Sequence, residues 1–129
     1  MRKDQEFVAR VVYVIIPAYN CQNYLEDSVT SALAQTNINA QVVIVDDGFT
    51  DETAQLIDSM TDGNEKIHVL HKANGGVSSA RNKGIQYVLS ISKDSDYIAF
   101  LDADDAWDKN FFDQAILDVI DKGTDLIGF

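Results

Sequence analysis

Two aspartates stand two positions apart after an apolar segment, in the run FLDADDAW. If the chain stays extended there, Asp102 and Asp104 point to the same side and their carboxylates converge. Carboxylate oxygens suit Mg²⁺ and Mn²⁺, which take few protein ligands beside water and phosphate oxygens. We interpret the pair as a candidate cation site and expect Asp105 to face away and cap the next turn. An acidic loop that merely ends a strand has the same pattern.

A second polar cluster, VIVDDGFTDET, follows another apolar segment. Asp46 and Asp47 are expected at the end of a strand, where carboxylates accept hydrogen bonds from a base N–H or from ribose hydroxyls. Asp51 and Glu52 are interpreted as acids at the start of a helix, where the dipole favours negative charge. We expect Asp47 to be exposed to a cleft, so its removal is predicted to weaken ligand binding without affecting the fold.

A third cluster, HKANGGVSSARNKGI, places two glycines before a predicted helix. Gly75 and Gly76 permit a close or left-handed backbone, and the N–H groups that begin a helix favour anions. The cluster lacks the spacing of the common phosphate loops, so a simple helix-capping loop remains an alternative. Arg81 would add a cation to a phosphate site here.

An aromatic residue follows the strand that Pro17 ends. Tyr19 would lie at the edge of the cleft, where its ring is able to stack on a nucleotide base.

Hydrophobic periodicity predicts the elements that position these clusters. Continuous apolar runs indicate buried strands, and three-to-four spacing indicates helices. The predicted strands are 11–16, 41–45, 66–71, 97–101 and 124–129, and the predicted helices are 23–36, 52–60, 77–91 and 109–121. This alternation predicts one α/β domain, a three-layer sandwich with a mainly parallel sheet, and ligands beyond the carboxyl ends of its strands.

The charge balance excludes some partners. The 129 residues carry 10 Lys and Arg against 21 Asp and Glu, a formal net charge of -11, which disfavours nucleic acid and anionic membranes. A single cysteine excludes an intrachain disulfide and fits a cytoplasmic setting. The apolar start is too short for a membrane span, and the chain ends in an apolar strand, from which we expect a truncated domain.

Four segments in order, IIPAYN, VIVDDGFTDET, NGGVSSARNKGI and FLDADD, resemble the N-terminal half of the family 2 glycosyltransferases. The resemblance implies the Rossmann-like GT-A fold of nucleotide-diphospho-sugar transferases, with residues 1–129 as its nucleotide-sugar-binding part. It implies transfer of a sugar to an acceptor hydroxyl with inversion, in enzymes that include those of polysaccharide biosynthesis. The donor would be a nucleoside-diphosphate sugar, with a UDP-sugar favoured, and the acceptor a sugar, lipid or protein.

The same resemblance implies roles for particular residues. Tyr19 would stack on the base, Asp46 or Asp47 would hydrogen-bond it, and Arg81 would brace the nucleotide pocket. Asp104 would ligate Mg²⁺ or Mn²⁺ directly, with Asp102 beside it. The implied nucleotide-sugar contacts are Pro17, Tyr19, Asp46, Asp47, Arg81, Asp102 and Ala103.

The sequence departs from the family pattern at Phe49, where the family has a small hydroxyl residue. The family's general base would lie beyond residue 129, so we expect these residues to bind the donor without transferring sugar. Later sequence would supply any membrane association, and the edge at TDLIGF could support a homo-oligomer.

Three other interpretations compete with this resemblance. Response-regulator receiver domains are acidic α/β units that bind Mg²⁺, but their acidic pair follows the first strand, where this chain has IIPAYN. Nucleotidyltransferases usually have a glycine-rich loop there, and PAYNCQNY has no glycine. A module that binds nucleotide without turnover remains open.

Overall fold

Strands and helices alternate along the chain as the hydrophobic pattern predicts. The computed structural model describes residues 10–48, 52–112 and 126–128. The strands are β1 (Arg10–Ala18), β2 (Ile38–Asp46), β3 (Ile67–His71), β4 (Tyr97–Phe100) and β5 (Leu126–Gly128), and the helices are α1 (Leu25–Leu33), α2 (Thr53–Thr61) and α3 (Val77–Ile91).

The five strands form one parallel sheet in the order β3-β2-β1-β4-β5. The centre is β1, whose Val14 pairs with Val42 of β2 on one side and with Ala99 of β4 on the other. The chain builds outward from β1 to β3 and then returns to the other side of β1. The strand order therefore reverses between β1 and β4, which is the position where open α/β sheets bind ligands.

Side chains of β1 alternate between two apolar cores. Val12, Val14 and Ile16 belong to the core that contains residues of α1 and α2. Tyr13 and Ile15 face the opposite core, which contains residues of α3. This confirms the predicted three-layer α/β sandwich, and it explains why β1 is an almost continuous β-branched run.

The central strand also requires a glycine on α3. A Cβ added at Gly84 would lie 2.7 Å from Cγ2 of Ile15, closer than real side chains approach. The absent side chain lets α3 pack closely on β1, which fixes the start of α3 relative to the carboxyl end of the sheet.

The observed bounds differ from the predicted ones in a few places. Strand β2 begins at Ile38 rather than at 41, because Ile38 and Ala40 alternate into the core and extend the ladder. Helix α1 is shorter than predicted, and residues 109–112 of the predicted helix 109–121 form a turn and bend instead. The rest of that helix, and Phe49, lie outside the described residues. The predicted fifth strand is confirmed at Leu126–Gly128.

None of the helices within the described ranges is long and apolar enough to span a bilayer.

Candidate functional site

A cleft of about 590 Å³ opens at the carboxyl edge of the sheet, where the strand order reverses. It is bordered by the loop after β1, the end of β2, the start of α3 and the acidic segment after β4. Seven of the sequence-predicted site residues line it: Pro17, Tyr19, Asp47, Arg81, Asp102, Ala103 and Asp104. The fold thus brings together segments that are separated by as many as 87 residues of sequence, from Pro17 to Asp104.

Asp46 is the predicted residue that the fold does not bring to the cleft lining. One of its carboxylate oxygens accepts a hydrogen bond from the Gly48 N–H at 2.8 Å, and the other lies 2.7 Å from Nδ1 of His71. Asp46 ends β2 and its side chain contacts His71 of β3, whereas the side chain of Asp47, the next residue, contacts the glycine turn. Of the two, the geometry brings Asp47 to the cleft.

Asp47 lines the cleft but is buried, with 4% of its surface exposed, which corrects the expectation of an exposed carboxylate there. Its Oδ1 accepts hydrogen bonds from Lys72 Nζ at 2.7 Å and from the Gly75 N–H at 3.0 Å. Its Oδ2 accepts one from the Gly76 N–H at 3.0 Å and a longer one from the Asn74 side chain at 3.4 Å. All four acceptor positions of the carboxylate are therefore directed at the chain itself.

These bonds also set the charge of Asp47. Burial alone would raise the pKa of its carboxyl group, but the hydrogen bonds from Lys72, Gly75 and Gly76 outweigh burial and hold the pKa below its usual value. Asp47 is thus an anion that ties the glycine turn to the end of β2.

The glycine turn gives α3 an open start. Gly76 has φ +93°, a left-handed conformation that glycine adopts without strain, and no side chain caps the helix from this position. The first N–H groups of a helix have no intrahelical acceptor, and the macrodipole makes that end partly positive. The Asp47 carboxylate accepts from Gly76 at this helix start, and the N–H groups that follow Gly76 are the donors that α3 presents beside the cleft.

The acidic cluster forms a turn rather than an extended segment, because the Asp105 N–H donates to the Asp102 carbonyl at 3.0 Å. The turn brings Asp105 back beside its neighbours, so the expectation that Asp105 faces away is wrong. Carboxylate oxygens of Asp102, Asp104 and Asp105 lie within 4.8 Å of one another. Three convergent carboxylates form a donor set that fits a hard divalent cation.

Arg81 crosses from α3 to this turn. Its Nη2 donates to Asp102 Oδ1 at 3.0 Å, and its guanidinium lies 5.9 Å from the centroid of the Phe100 ring. Its Nε is buried and has no hydrogen-bond partner among the described residues. Since buried donors are normally paired, the guanidinium retains capacity for a ligand acceptor.

Two exposed tyrosines border the cleft. Tyr19, predicted from sequence, is 49% exposed, and Tyr24, which sequence analysis did not single out, is 55% exposed. Large exposed aromatic rings beside a polar cleft offer stacking surfaces for a ring-shaped ligand.

Two serines of α1 and Gln35, which follows the end of that helix, hold the acidic segment, and none of the three was predicted from sequence. Ser28 contacts the Ala103 carbonyl, Ser31 Oγ accepts from the Trp107 N–H at 3.0 Å, and Gln35 Nε2 donates to the Asp108 carbonyl at 2.7 Å. The spacing of three residues places Ser28 and Ser31 on one face of α1. That spacing was the available signal, but it only shows that they share a face, not what they meet.

The comparisons with known proteins agree with this geometry. Residues 13–129 match the family described as glycosyl transferase family 2. Chondroitin synthase of Pasteurella multocida (strain Pm70) is 39% identical over 95 residues, which cover 74% of this chain and 9% of that protein. Glycosyltransferase GlyG of Streptococcus pneumoniae serotype 4 is 32% identical over 121 residues, which cover 93% of this chain and 38% of that protein.

Among solved structures, that of S. aureus TarS 1-349 in complex with UDP-GlcNAc superimposes with a TM-score of 0.69 at 25% identity, covering 85% of this chain and 31% of that one. The chain therefore spans less than two fifths of each of these relatives. The family match extends over nearly the whole chain, and the fold and the four segments agree with it. The chain belongs to glycosyl transferase family 2 and has the GT-A fold.

Proposed function

We propose that the cleft is the donor site of a glycosyltransferase and binds a nucleoside-diphosphate sugar, with a UDP-sugar favoured. The observation that carries this proposal is the pairing of opposite charges across one cleft. The acidic turn stands on one side, and the start of α3 with Arg81 stands on the other. The relative TarS, whose structure is in complex with UDP-GlcNAc, supports the choice of ligand.

The nucleotide would be held mainly by α3 and the loop after β1. The N–H groups at the start of α3 and the guanidinium of Arg81 supply donors for the diphosphate. Tyr19 supplies a stacking face for the base, while Pro17 and Ala103 line the cleft beside it. Asp47 keeps the glycine turn in place, and a direct bond from its carboxylate to the base would require one of its present donors to leave.

A divalent cation, Mg²⁺ or Mn²⁺, would be held by Asp104 and Asp102, and Asp105 is close enough to assist. Such an ion offsets the negative charge that develops on a departing diphosphate. The chain needs that compensation, because a diphosphate otherwise meets exposed carboxylates at short range. Arg81 already neutralises part of the charge on Asp102, which leaves Asp104 as the more available ligand.

For the complete enzyme we propose transfer with inversion in a single displacement. The acceptor hydroxyl oxygen forms a bond to the anomeric carbon, the bond from that carbon to the diphosphate oxygen breaks, and the nucleoside diphosphate leaves. The hydroxyl proton passes to a carboxylate base that the family resemblance places beyond residue 129. The acceptor would be a hydroxyl of a sugar, lipid or protein, and the relative named chondroitin synthase favours polysaccharide assembly.

The donor site is tested by calorimetric titration of UDP, UDP-GlcNAc and ADP in the presence of Mn²⁺. We expect saturable binding of UDP and UDP-GlcNAc, and about tenfold weaker UDP binding by Tyr19→Ala, since stacking on one base contributes roughly 1–3 kcal/mol. Leu89→Ala is the matched control, because Leu89 is an exposed apolar residue that does not line the cleft. Absence of saturable binding for every nucleotide would contradict the proposal.

A further inference from the structure

Four polar residues are buried in the described part of the chain, and each hydrogen-bonds to a loop that borders the cleft. They are Ser28, Gln35, Asp47 and Thr53. Asp47 holds the glycine turn, and Thr53 Oγ1 accepts from the Cys21 N–H at 3.1 Å. Ser28 and Gln35 hold the acidic segment. Because burying a polar group is costly unless it is paired, these contacts fix the loops tightly.

Ser28 has the most concentrated set of partners. It is fully buried, and its Oγ lies 2.6 Å from the Ala103 carbonyl oxygen and 3.5 Å from that of Asp102. The same hydroxyl contacts the carbonyl oxygen of Asp105. A hydroxyl carries one proton, so three carbonyl oxygens of one turn converge on a single donor.

This arrangement orients the turn. The carbonyl groups of the turn face α1, whereas the side chains of Asp102 and Asp104 line the cleft. The hydroxyl proton of Ser28 is the donor that these three carbonyl oxygens share, and it offsets the repulsion between them. Without that proton, the bond from the Asp105 N–H to the Asp102 carbonyl would remain, but we expect the turn to loosen and its carboxylates to converge less closely.

We propose that Ser28 is a positioning residue for the acidic turn and sets the affinity of that turn for a divalent cation. It touches neither donor nor cation and acts through Asp102 and Asp104. The inference rests on the proposed function, because it takes this turn as the cation site. Outer groups that orient metal ligands typically affect metal affinity by about 10–100-fold.

The test compares UDP binding with Mn²⁺ and with chelator for the full 129-residue chain and for Ser28→Ala. We expect the factor by which Mn²⁺ increases UDP affinity to be about tenfold smaller in Ser28→Ala, with the affinity in chelator unchanged. Amide hydrogen exchange should become faster in the turn 102–105. Thr30→Ala is the control, because Thr30 is an exposed hydroxyl residue of the same helix, and it should behave as wild type.

Ser28→Cys provides a second comparison if Ser28→Ala does not fold, because the thiol keeps a side chain of similar shape but is a weak donor. Mn²⁺ should also increase the UDP affinity of this variant less than that of the wild type. A variant that folds and keeps the full wild-type increase with Mn²⁺ overturns the role of Ser28 and leaves the donor site intact. A wild-type chain whose UDP affinity does not respond to Mn²⁺ contradicts the proposed cation site itself.

Discussion

Arg81 Nη2 and Asp102 Oδ1 lie 3.0 Å apart, and this ion pair joins the start of α3 to the acidic turn. The side chains are 37% and 46% exposed, so water screens the attraction. Exposed pairs of this kind contribute roughly 0–1 kcal/mol to the free energy of unfolding. The pair therefore does little to hold the fold together, and its position in the cleft suits it for ligand binding.

We accordingly expect Arg81→Gln to weaken UDP binding with little loss of stability. A hydrogen bond to a charged group contributes about 1.5–3 kcal/mol, so UDP affinity should fall about tenfold or more. Urea unfolding measures the stability of this variant, and calorimetry measures its UDP affinity. Lys93→Gln removes an equal charge from an exposed site outside the cleft and should bind UDP as wild type does. Equal affinities for the two variants would exclude Arg81 from the donor site.

Asp47→Ala should destabilise the fold, in contrast to the expectation from sequence. The substitution leaves Lys72, whose side chain is only 13% exposed, and two backbone N–H groups without their acceptor. We expect the free energy of unfolding to fall by about 3 kcal/mol, as when one partner of a buried pair is removed. Asp58→Ala, an exposed change on α2, is the control. Urea titrations that show the same stability for both variants would disprove the anchoring role.

His68 should make stability depend on pH. Burial lowers the pKa of its imidazole from the ordinary value of 6.5, and the ring lies 2.7 Å from the Tyr87 hydroxyl and 3.1 Å from Gln41 Oε1. The unfolded chain therefore binds a proton first as the pH falls. The neutral His68 ring therefore contributes fully to the free energy of unfolding above the unfolded pKa of 6.5. This contribution is lost as the pH falls from 6.5 through the lower folded pKa.

This effect is measured by urea unfolding at several pH values between about 7.5 and 5. The wild type should lose more stability over that range than His68→Gln, whose side chain does not titrate. Parallel pH profiles for the two proteins would show that His68 is not the responsible group.

The fold was largely predictable from sequence because strands buried on both faces leave a strong signal. VVYVII is continuous and apolar since α1 and α2 cover one face of β1 and α3 covers the other. Residues 109–112 were assigned to a helix because Phe112 lies at helical spacing from Ile116 and Ile120, but the structure gives Phe111 and Phe112 another role. They pack against Trp107, with ring centroids 5.0 Å and 5.2 Å away, and anchor the acidic segment.

The sequence identified most residues that line the cleft, but it did not identify the hydrogen bonds that place their side chains. Spacing alone placed Asp102 and Asp104 together, but it could not show that a turn returns Asp105 to the same place. Likewise, Asp47 at a strand end gives no sign of being buried, because its burial comes from a turn 25 or more residues later in the chain. Long-range hydrogen bonds of this kind have no local sequence pattern.

The central claim, that the cleft binds a nucleoside diphosphate through a divalent cation at the acidic turn, is tested most directly by one titration. UDP is titrated into the chain with Mn²⁺ and then with chelator, and the series is repeated with Asp104→Asn. We expect wild-type affinity to fall about tenfold or more in chelator, because the carboxylates then face the diphosphate uncompensated. Mn²⁺ should increase the UDP affinity of Asp104→Asn much less than that of the wild type. Equal wild-type affinity in Mn²⁺ and in chelator would contradict the account.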